Sequence, residues 1–138
     1  MTVLLEYANA PGRVSPERGW PAETTIKPLK YRPRLLVFVH PQCPCSGATI
    51  HELALVMARC QNRVDADVLF LAPSSATRDW VQSGLWRDAA AIPGVRAAAD
   101  KNSVEAERFG ALTSGQSLLY DARDRLLFRG GITPSRGH

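Results

Sequence analysis

The sequence predicts a single α/β domain in which helices flank a mixed β-sheet. Two short, continuously apolar runs indicate buried strands, helical patterns follow them, and a hairpin signal lies near the end of the chain. With 138 residues, the chain is long enough to bury a core without cross-links. Its 45% hydrophobic and 22% charged residues are ordinary for a globular protein and indicate neither disorder nor a membrane span.

The first half of the chain predicts an arm, a strand and a long helix. Because residues 9–33 are rich in Pro and Gly, we expect residues 1–33 to form an irregular arm or linker and residues 34–138 to form the domain. The apolar run 35–39 is typical of a strand buried on both faces, and His40-Pro41 ends it. Residues 44–60 predict an amphipathic helix of about four turns. Its apolar stripe comprises Ala48, Ile50, Leu53, Ala54, Met57 and Ala58.

The second half predicts shorter elements in the order strand, helix, strand, helix and hairpin. Residues 68–71 predict a buried strand, residues 80–91 a short helix and residues 95–99 a short strand. A helix over 103–109 is expected to end at Gly110, which suits a C-terminal cap. Strands at 117–120 and 126–128 form the hairpin, and Gly130-Gly131 predicts a turn after it.

The charges and cysteines narrow the function classes. The net charge of +4 comes from scattered arginines without a basic run, which predicts a solvated surface and no nucleic-acid partner. Three cysteines cannot form a disulfide framework, and two of them separated by one residue indicate chemistry. The N-terminal MTVLLEYANAPG is far too weakly apolar for a signal-peptide core.

The strongest chemical signal is FVHPQCPCS at residues 38–46, where the first strand meets the long helix. A helix N-terminus favours a thiolate, so Cys43 is the natural N-cap and nucleophile. Pro44 suits the first helical turn because its missing N–H costs nothing there. Cys45 is close enough for a disulfide with Cys43, and the strain of closing a ring across one residue makes such a bond oxidising.

These segments resemble the thioredoxin-like superfamily, in its TlpA-like and peroxiredoxin-like branch. FVHPQCPCS with its helix and the later FGALTSGQSLLYDARDRLLFRGG carry the resemblance. The fuller pattern HPxCPCSxATxxEL, followed by TSG, a hairpin, GGIT and RGH, is similar to bacterial RedB-like proteins. The resemblance implies a thioredoxin-like sandwich in which Cys43 is the attacking cysteine. We expect Cys45 to resolve the mixed disulfide and Ser46 to help stabilise the thiolate.

Two positions depart from the family pattern. Ser46 occupies the place of the second cysteine of a CxxC motif, and Gly115 stands where the family has a cis-proline. Glycine there is expected to leave room for a metal or a different partner. The candidate catalytic residues are therefore Cys43, Cys45 and Ser46, and the supporting residues are His40, Pro41, Pro44, Ser114, Gly115 and Gln116.

The resemblance also implies surroundings for the domain. A final helix after the hairpin is missing from this sequence, and the native chain is expected to be longer, with a membrane tether ahead of this segment. The implied location is the bacterial cell envelope, at the periplasmic face of the inner membrane. The implied partner is a protein thiol or disulfide, and no organic cofactor is required.

Two other functions remain open from the sequence. Copper(I) prefers soft ligands such as the thiolates of Cys43 and Cys45, and the imidazole of His40 also suits it. In its fold and its soft ligands the chain resembles the Sco-type metallochaperones that serve membrane oxidases. A non-catalytic adaptor with the same fold is the other alternative. Cys60 is interpreted as a small core residue, and His138 as a weaker functional candidate together with Arg136.

Overall fold

The computed structural model describes residues 20–26, 32–41, 46–60, 63–73, 84–111 and 115–131. Their elements, in chain order, are β1 (Arg34–Val39), α1 (Ser46–Arg59), β2 (Asp65–Ala72), α2 (Gly84–Ala90), β3 (Val95–Lys101), α3 (Val104–Phe109), β4 (Gln116–Tyr120) and β5 (Leu126–Gly131). This order is the one that the sequence predicts. The predicted α/β class, a mixed central sheet flanked by helices, is confirmed.

Strand β1 lies at the centre of a sheet of order β3-β2-β1-β4-β5. It pairs in parallel with β2, which pairs in parallel with β3, whereas β4 and β5 are antiparallel. All six residues of β1 are buried, which confirms the prediction for residues 35–39 and adds Arg34 to the buried set. Since the three parallel strands point the same way, their carboxyl ends and the start of β4 meet at one edge of the sheet.

Each face of the sheet has its own apolar core. On one face, α1 and α2 cover side chains such as Val37 and Phe70. On the other face, α3 and the segment 20–26 cover Leu36, Phe38 and Tyr120. The central strand is therefore shielded from water on both sides, which fixes the position of its carboxyl end.

Helix α1 matches the predicted helix from Ser46 onward; residues 44 and 45 lie outside the described part of the chain. The predicted apolar stripe was partly wrong, because Ala48 and Ala58 are exposed while Thr49 is buried. Buried Ile50 and Met57 lie two turns apart, and Ala58 lies about 100° around the helix from Met57. The buried face of α1 therefore includes Thr49 and leaves Ala48 and Ala58 exposed.

In the C-terminal half, the predicted helix cap at Gly110 is confirmed and the predicted turn at Gly130-Gly131 is not. Helix α3 ends at Gly110, which has the left-handed φ of 71° expected of a cap. The turn predicted at Gly130-Gly131 is wrong, since both glycines lie in β5 and pair with Ser117 and Gln116. Pairing with β4 outweighs the preference of glycine for turns. Residues 132–138 lie outside the described part, so the missing final helix stays a prediction.

Part of the predicted arm packs on the domain through Trp20. The indole ring meets Phe109 and Tyr120 edge to face, with centroid separations of 5.1 and 5.0 Å. Its Nε1–H donates to the carbonyl of Ile26 at 3.1 Å. The boundary between residues 33 and 34 stays a prediction. Among the described helices, none is long and apolar enough to cross a bilayer.

A buried carboxylate fastens the same segment to α3. Glu105 accepts hydrogen bonds from the hydroxyls of Thr24 and Thr25 and from the N–H of Thr25 at 3.2 Å, and it pairs with Arg108 at 2.9 Å. Burial alone would raise the pKa of Glu105, but these hydrogen bonds and the arginine lower the pKa below its usual value. The carboxylate of Glu105 thus holds Thr24 and Thr25, which precede it in the sequence by 81 and 80 positions.

Replacing Glu105 with Gln should destabilise the fold at neutral pH by about 1–3 kcal/mol, because charge-assisted hydrogen bonds are lost. A carboxyl with a lowered pKa contributes stability above its unfolded-state pKa and loses it as the pH falls through the folded-state pKa. The gap between wild type and Glu105→Gln should therefore narrow as the pH falls below about 4.5. Urea unfolding of both proteins at pH 7 and pH 3.5 measures this difference in the free energy of unfolding.

The matched control is Glu107→Gln, an exposed residue of the same helix, which should change the free energy of unfolding little at either pH. An equal loss for Glu105→Gln at both pH values would contradict the role of the charge.

Candidate active site

The carboxyl edge of the sheet collects residues that are distant in sequence. His40 and Pro41 follow β1, Pro73 follows β2, and Asn102 and Ser103 follow β3. In open α/β sheets, this edge is where ligands bind. This edge of the sheet is therefore the expected location of a ligand-binding site.

The start of α1 is bonded directly to the end of β1. The Ser46 hydroxyl, which is fully buried, donates to the carbonyl oxygen of His40 at 2.7 Å. Cys43 follows Pro41 by two residues and Cys45 directly precedes Ser46. This hydrogen bond therefore joins the two ends of the segment that carries both cysteines.

Gly115 lies against the other side of this junction. Its N–H donates to the carbonyl of Phe38 at 2.6 Å, and its φ is +86°, in the left-handed region that favours glycine. A β-carbon at this position would lie 3.2 Å from Thr49 Oγ1. A β-carbon there would therefore press on Thr49, and the expectation of room for a metal or a different partner beside Gly115 stays a prediction.

Ser117 is a buried polar group that the sequence did not single out. Its side chain is fully buried and lies between Val37 of β1 and Gly130 of β5, and its hydroxyl has no hydrogen-bond partner among the residues that the structure describes. An unsatisfied buried hydroxyl costs about 1–3 kcal/mol. In the sequence, the burial of Ser117 is indicated only by its position in the apolar run of the predicted strand 117–120.

Asp100 fixes the rim of the edge after β3. Its buried carboxylate accepts the N–H groups of Glu105 and Ala106 at 2.9 and 2.8 Å and so caps the start of α3. Burial raises the pKa of Asp100, although these two hydrogen bonds oppose the rise. The intervening Asn102 and Ser103 both have left-handed φ, 59° and 56°.

A cavity of about 300 Å³ opens at this edge, beside the end of β1. Its described lining consists of His40, Leu71, Ala72, Pro73, Asn102 and Ser103. Sequence reasoning did not find this cavity, because it depends on three strand ends that only the sheet brings together.

The structure brings together part of the predicted site. His40, Pro41, Ser46, Gly115 and Gln116 lie around the junction of β1, β4 and α1. Predictions for Cys43, Pro44, Cys45, Ser114, Arg136 and His138 fall outside the described residues. In the described ranges, no three His, Cys, Asp or Glu side chains form a group that could hold a metal.

Cys60 is separated from this site by the length of α1. It follows Arg59 in the next turn, is partly exposed and is a free thiol. The 14 residues of α1 span about 20 Å. Cys60 therefore lies at the far end of the helix, as the sequence predicts, although it is less buried than a core residue.

Comparison with known proteins identifies the fold. No family model matches the sequence, and no curated protein matches it. A thioredoxin-like protein solved in solution in its oxidised form aligns with a TM-score of 0.65 and 12% identity over 86% of both chains. A thiol-disulfide oxidoreductase from Bacteroides fragilis NCTC 9343 aligns with a TM-score of 0.59 and 17% identity over 77% of both chains.

A third solved structure, MTB dsbF in mixed oxidised and reduced forms, aligns with a TM-score of 0.53 and 20% identity. The alignment covers 71% of this chain and 68% of that one. At these identities the similarity defines the fold, and the chain has a thioredoxin-like fold.

Replacing Gly115 with Ala should destabilise the fold by about 1–3 kcal/mol, because alanine is strained at this φ and its β-carbon would press on Thr49 Oγ1. Gly84→Ala is the matched control, since a β-carbon there meets no atom within 4 Å. Chemical denaturation measures both. Adding Thr49→Ala to Gly115→Ala should recover the part of the stability loss that comes from the contact with Thr49 Oγ1, and the part that comes from the strained φ should remain. Equal free energies of unfolding for Gly115→Ala and Gly84→Ala would contradict the close contact between Gly115 and Thr49.

Proposed function

We propose that this chain is a thioredoxin-like thiol–disulfide redox protein that uses Cys43 and Cys45. The observation that carries the proposal is the Ser46–His40 hydrogen bond, which joins the ends of the CPC segment where a central strand meets a helix N-terminus. Proteins that share the fold include ones described as thiol-disulfide oxidoreductases or solved in oxidised and reduced forms, and these descriptions support the same reaction class.

In the proposed reaction, Cys43 is the nucleophile. Its thiolate attacks one sulfur of a partner disulfide, the partner S–S bond breaks, and the released thiolate takes a proton from water. Cys45 then loses its proton and attacks the Cys43 sulfur, which breaks the mixed disulfide and releases the second partner thiol. Two electrons pass from the dithiol of this chain to the partner, and the reverse sequence oxidises a partner dithiol.

The surrounding residues have positioning and electrostatic roles in this proposal. The unpaired N–H groups and dipole at the start of α1 favour the thiolate. Ser46 donates its single hydroxyl proton to His40 O, so we assign it the role of holding the segment rather than of donating to sulfur. His40, Pro41 and Pro44 are the supporting residues within the segment, and Ser114, Gly115 and Gln116 are supporting residues at the start of β4 in sequence.

The setting of the reaction is also part of the proposal. The partner is a protein thiol or disulfide in the bacterial cell envelope, reached from a membrane tether outside this chain. No organic cofactor takes part. The resemblance of residues 35–138 to envelope proteins supports this location.

A reversible bond between Cys43 and Cys45 is the expected outcome when the protein is equilibrated with glutathione mixtures, alkylated and weighed by mass spectrometry. The strained ring should place its potential nearer to the about −120 mV of a strong oxidant than to the about −270 mV of thioredoxin. Cys45→Ser should trap a mixed disulfide on Cys43, and Cys60→Ser should leave the potential unchanged. Failure to form the bond at any glutathione ratio would overturn the proposal.

The copper(I) alternative has a different signature. The thiolates of Cys43 and Cys45, together with the imidazole of His40, would supply donors that suit copper(I). Stoichiometric binding in an anaerobic titration against a competing chelator, lost in Cys43→Ser and without a reversible disulfide, would favour a metallochaperone. Wild-type behaviour of a double Cys43→Ser, Cys45→Ser strain would favour an adaptor.

A further inference from the structure

The outer edge of β3 is open to pairing. Strand β3 lies at one end of the sheet, and in the described part of the chain only β2 pairs with it. The N–H of Ala66 in β2 donates to the carbonyl of Gly94, the residue directly before β3, at 3.0 Å. Since the peptide groups of successive residues in a strand point to opposite sides, every second residue from Gly94 onward faces β2. The N–H and C=O groups of Ala97 and Ala99 therefore point away from β2.

The helices that flank β3 leave the middle of this edge accessible. Helix α2 packs over one face of the strand near Val95, and α3 packs against the other face. Ala98 and Ala99 point to opposite faces, because successive side chains of a strand alternate, and both are exposed. Over its seven residues β3 contains no proline, and its pairing with β2 has no register shift. It therefore lacks two features by which edge strands avoid pairing with other strands.

A second copy of β3 matches this edge in one register over the whole strand. In an antiparallel pair, residues whose backbone groups point outward must oppose one another. The middle of the seven residues of β3 is Ala98, and a twofold axis there places Ala97 opposite Ala99 of the second copy. An axis at Ala97 or Ala99 would leave two residues of each strand unpaired, and an axis between two residues would oppose outward groups to inward ones.

The outer edge of β5, at the other end of the sheet, does not offer the same fit. Its six residues, Leu126–Gly131, have their midpoint between Phe128 and Arg129. Self-pairing along the full length of β5 would therefore set outward groups against inward ones. Strand β3 is thus the edge that a second copy fits.

The charges of β3 are complementary in the same register. The axis places Arg96 opposite Asp100 of the second copy, and the symmetry repeats this pair. Opposite charges across an antiparallel pair stabilise it. Arg96 bonds to Asp67 through Nε at 3.0 Å and its side chain is 62% exposed, so its terminal nitrogens can donate to a further acceptor. Asp100 accepts two N–H groups, which leaves acceptor capacity on a carboxylate with about four acceptor positions. Lys101 lies opposite Val95 of the second copy, so no like charges meet.

We propose that the outer edge of β3 is a homodimer interface, in which Val95–Lys101 of two copies pair antiparallel about a twofold axis at Ala98. The five-stranded sheets of the two copies then form one continuous sheet. The outward backbone groups at the middle of each strand supply the central hydrogen bonds, and the two pairs of Arg96 with Asp100 fix the register. This interface is independent of the proposed redox function, because it contains no cysteine.

Oppositely charged substitutions at the axis test the interface. Ala98 faces its own equivalent in the second copy only in this register, and it is exposed, so the monomer can hold a long side chain there. Ala98→Lys and Ala98→Glu would be measured alone and as an equimolar mixture by analytical ultracentrifugation. A reducing agent excludes dimers linked by disulfides. Leu127→Lys, at an exposed leucine of β5, is the matched control.

The wild type should be a dimer that dissociates on dilution. Each Ala98 variant alone should associate at least about tenfold more weakly, because like charges meet at the axis. The mixture should recover the affinity of the wild type to within about threefold, since Lys and Glu then face each other. Leu127→Lys should leave the dissociation constant unchanged. A wild type that stays monomeric, a dimer that withstands the Ala98 substitutions, or a mixture without recovery would overturn the interface.

Amide hydrogen exchange of the wild type is a second measurement that needs no substitution. The N–H groups of Ala97 and Ala99 should exchange more slowly as the protein concentration rises, because pairing protects them. The N–H of Ala98, which faces β2, should change little. Exchange at Ala97 and Ala99 that is independent of concentration would contradict the interface, whether or not the Ala98 variants fold.

Discussion

The hydrogen bond from the Ser46 hydroxyl to the His40 carbonyl is the interaction on which the site depends. It joins the end of the central strand to the first residue of α1, and both elements are anchored in the core of the sheet. The Ser46 side chain is fully buried, so the donor end of this bond is shielded from water. Only residues 42–45 separate Pro41 from Ser46, so the bond fixes the span that the CPC segment must bridge.

The two sides of this junction differ in the space that they offer. On the β4 side, Gly115 approaches Thr49 so closely that even a β-carbon would be crowded. On the side of β2 and β3, Asp100 caps α3 and holds Asn102 and Ser103 around an open cavity.

Local sequence patterns predicted the elements well and the long-range contacts poorly. The apolar run of β1 and the cap at Gly110 depend on neighbouring residues, and both were confirmed. The turn expected at Gly130-Gly131 was wrong, because pairing across to β4 decides that conformation. The bonds of Glu105 to Thr24 and Thr25 span about 80 positions, and no local pattern encodes them.

The same distinction applies to the candidate site. His40 and Ser46 could be predicted because they flank the cysteines in sequence. The contribution of Thr49 could not, since its burial depends on how α1 is rotated against the sheet. The cavity required the ends of three strands to be placed side by side, which only the assembled sheet determines.

We expect the start of α1 to make Cys43 a reactive thiolate, and the pH dependence of Cys43 alkylation measures this. In a Cys45→Ser, Cys60→Ser variant, Cys43 is the sole thiol, so the rate of its reaction with iodoacetamide reports its ionisation alone. The midpoint of the Cys43 titration should lie below the about 8.5 of an ordinary cysteine. A midpoint at or above that value would contradict it.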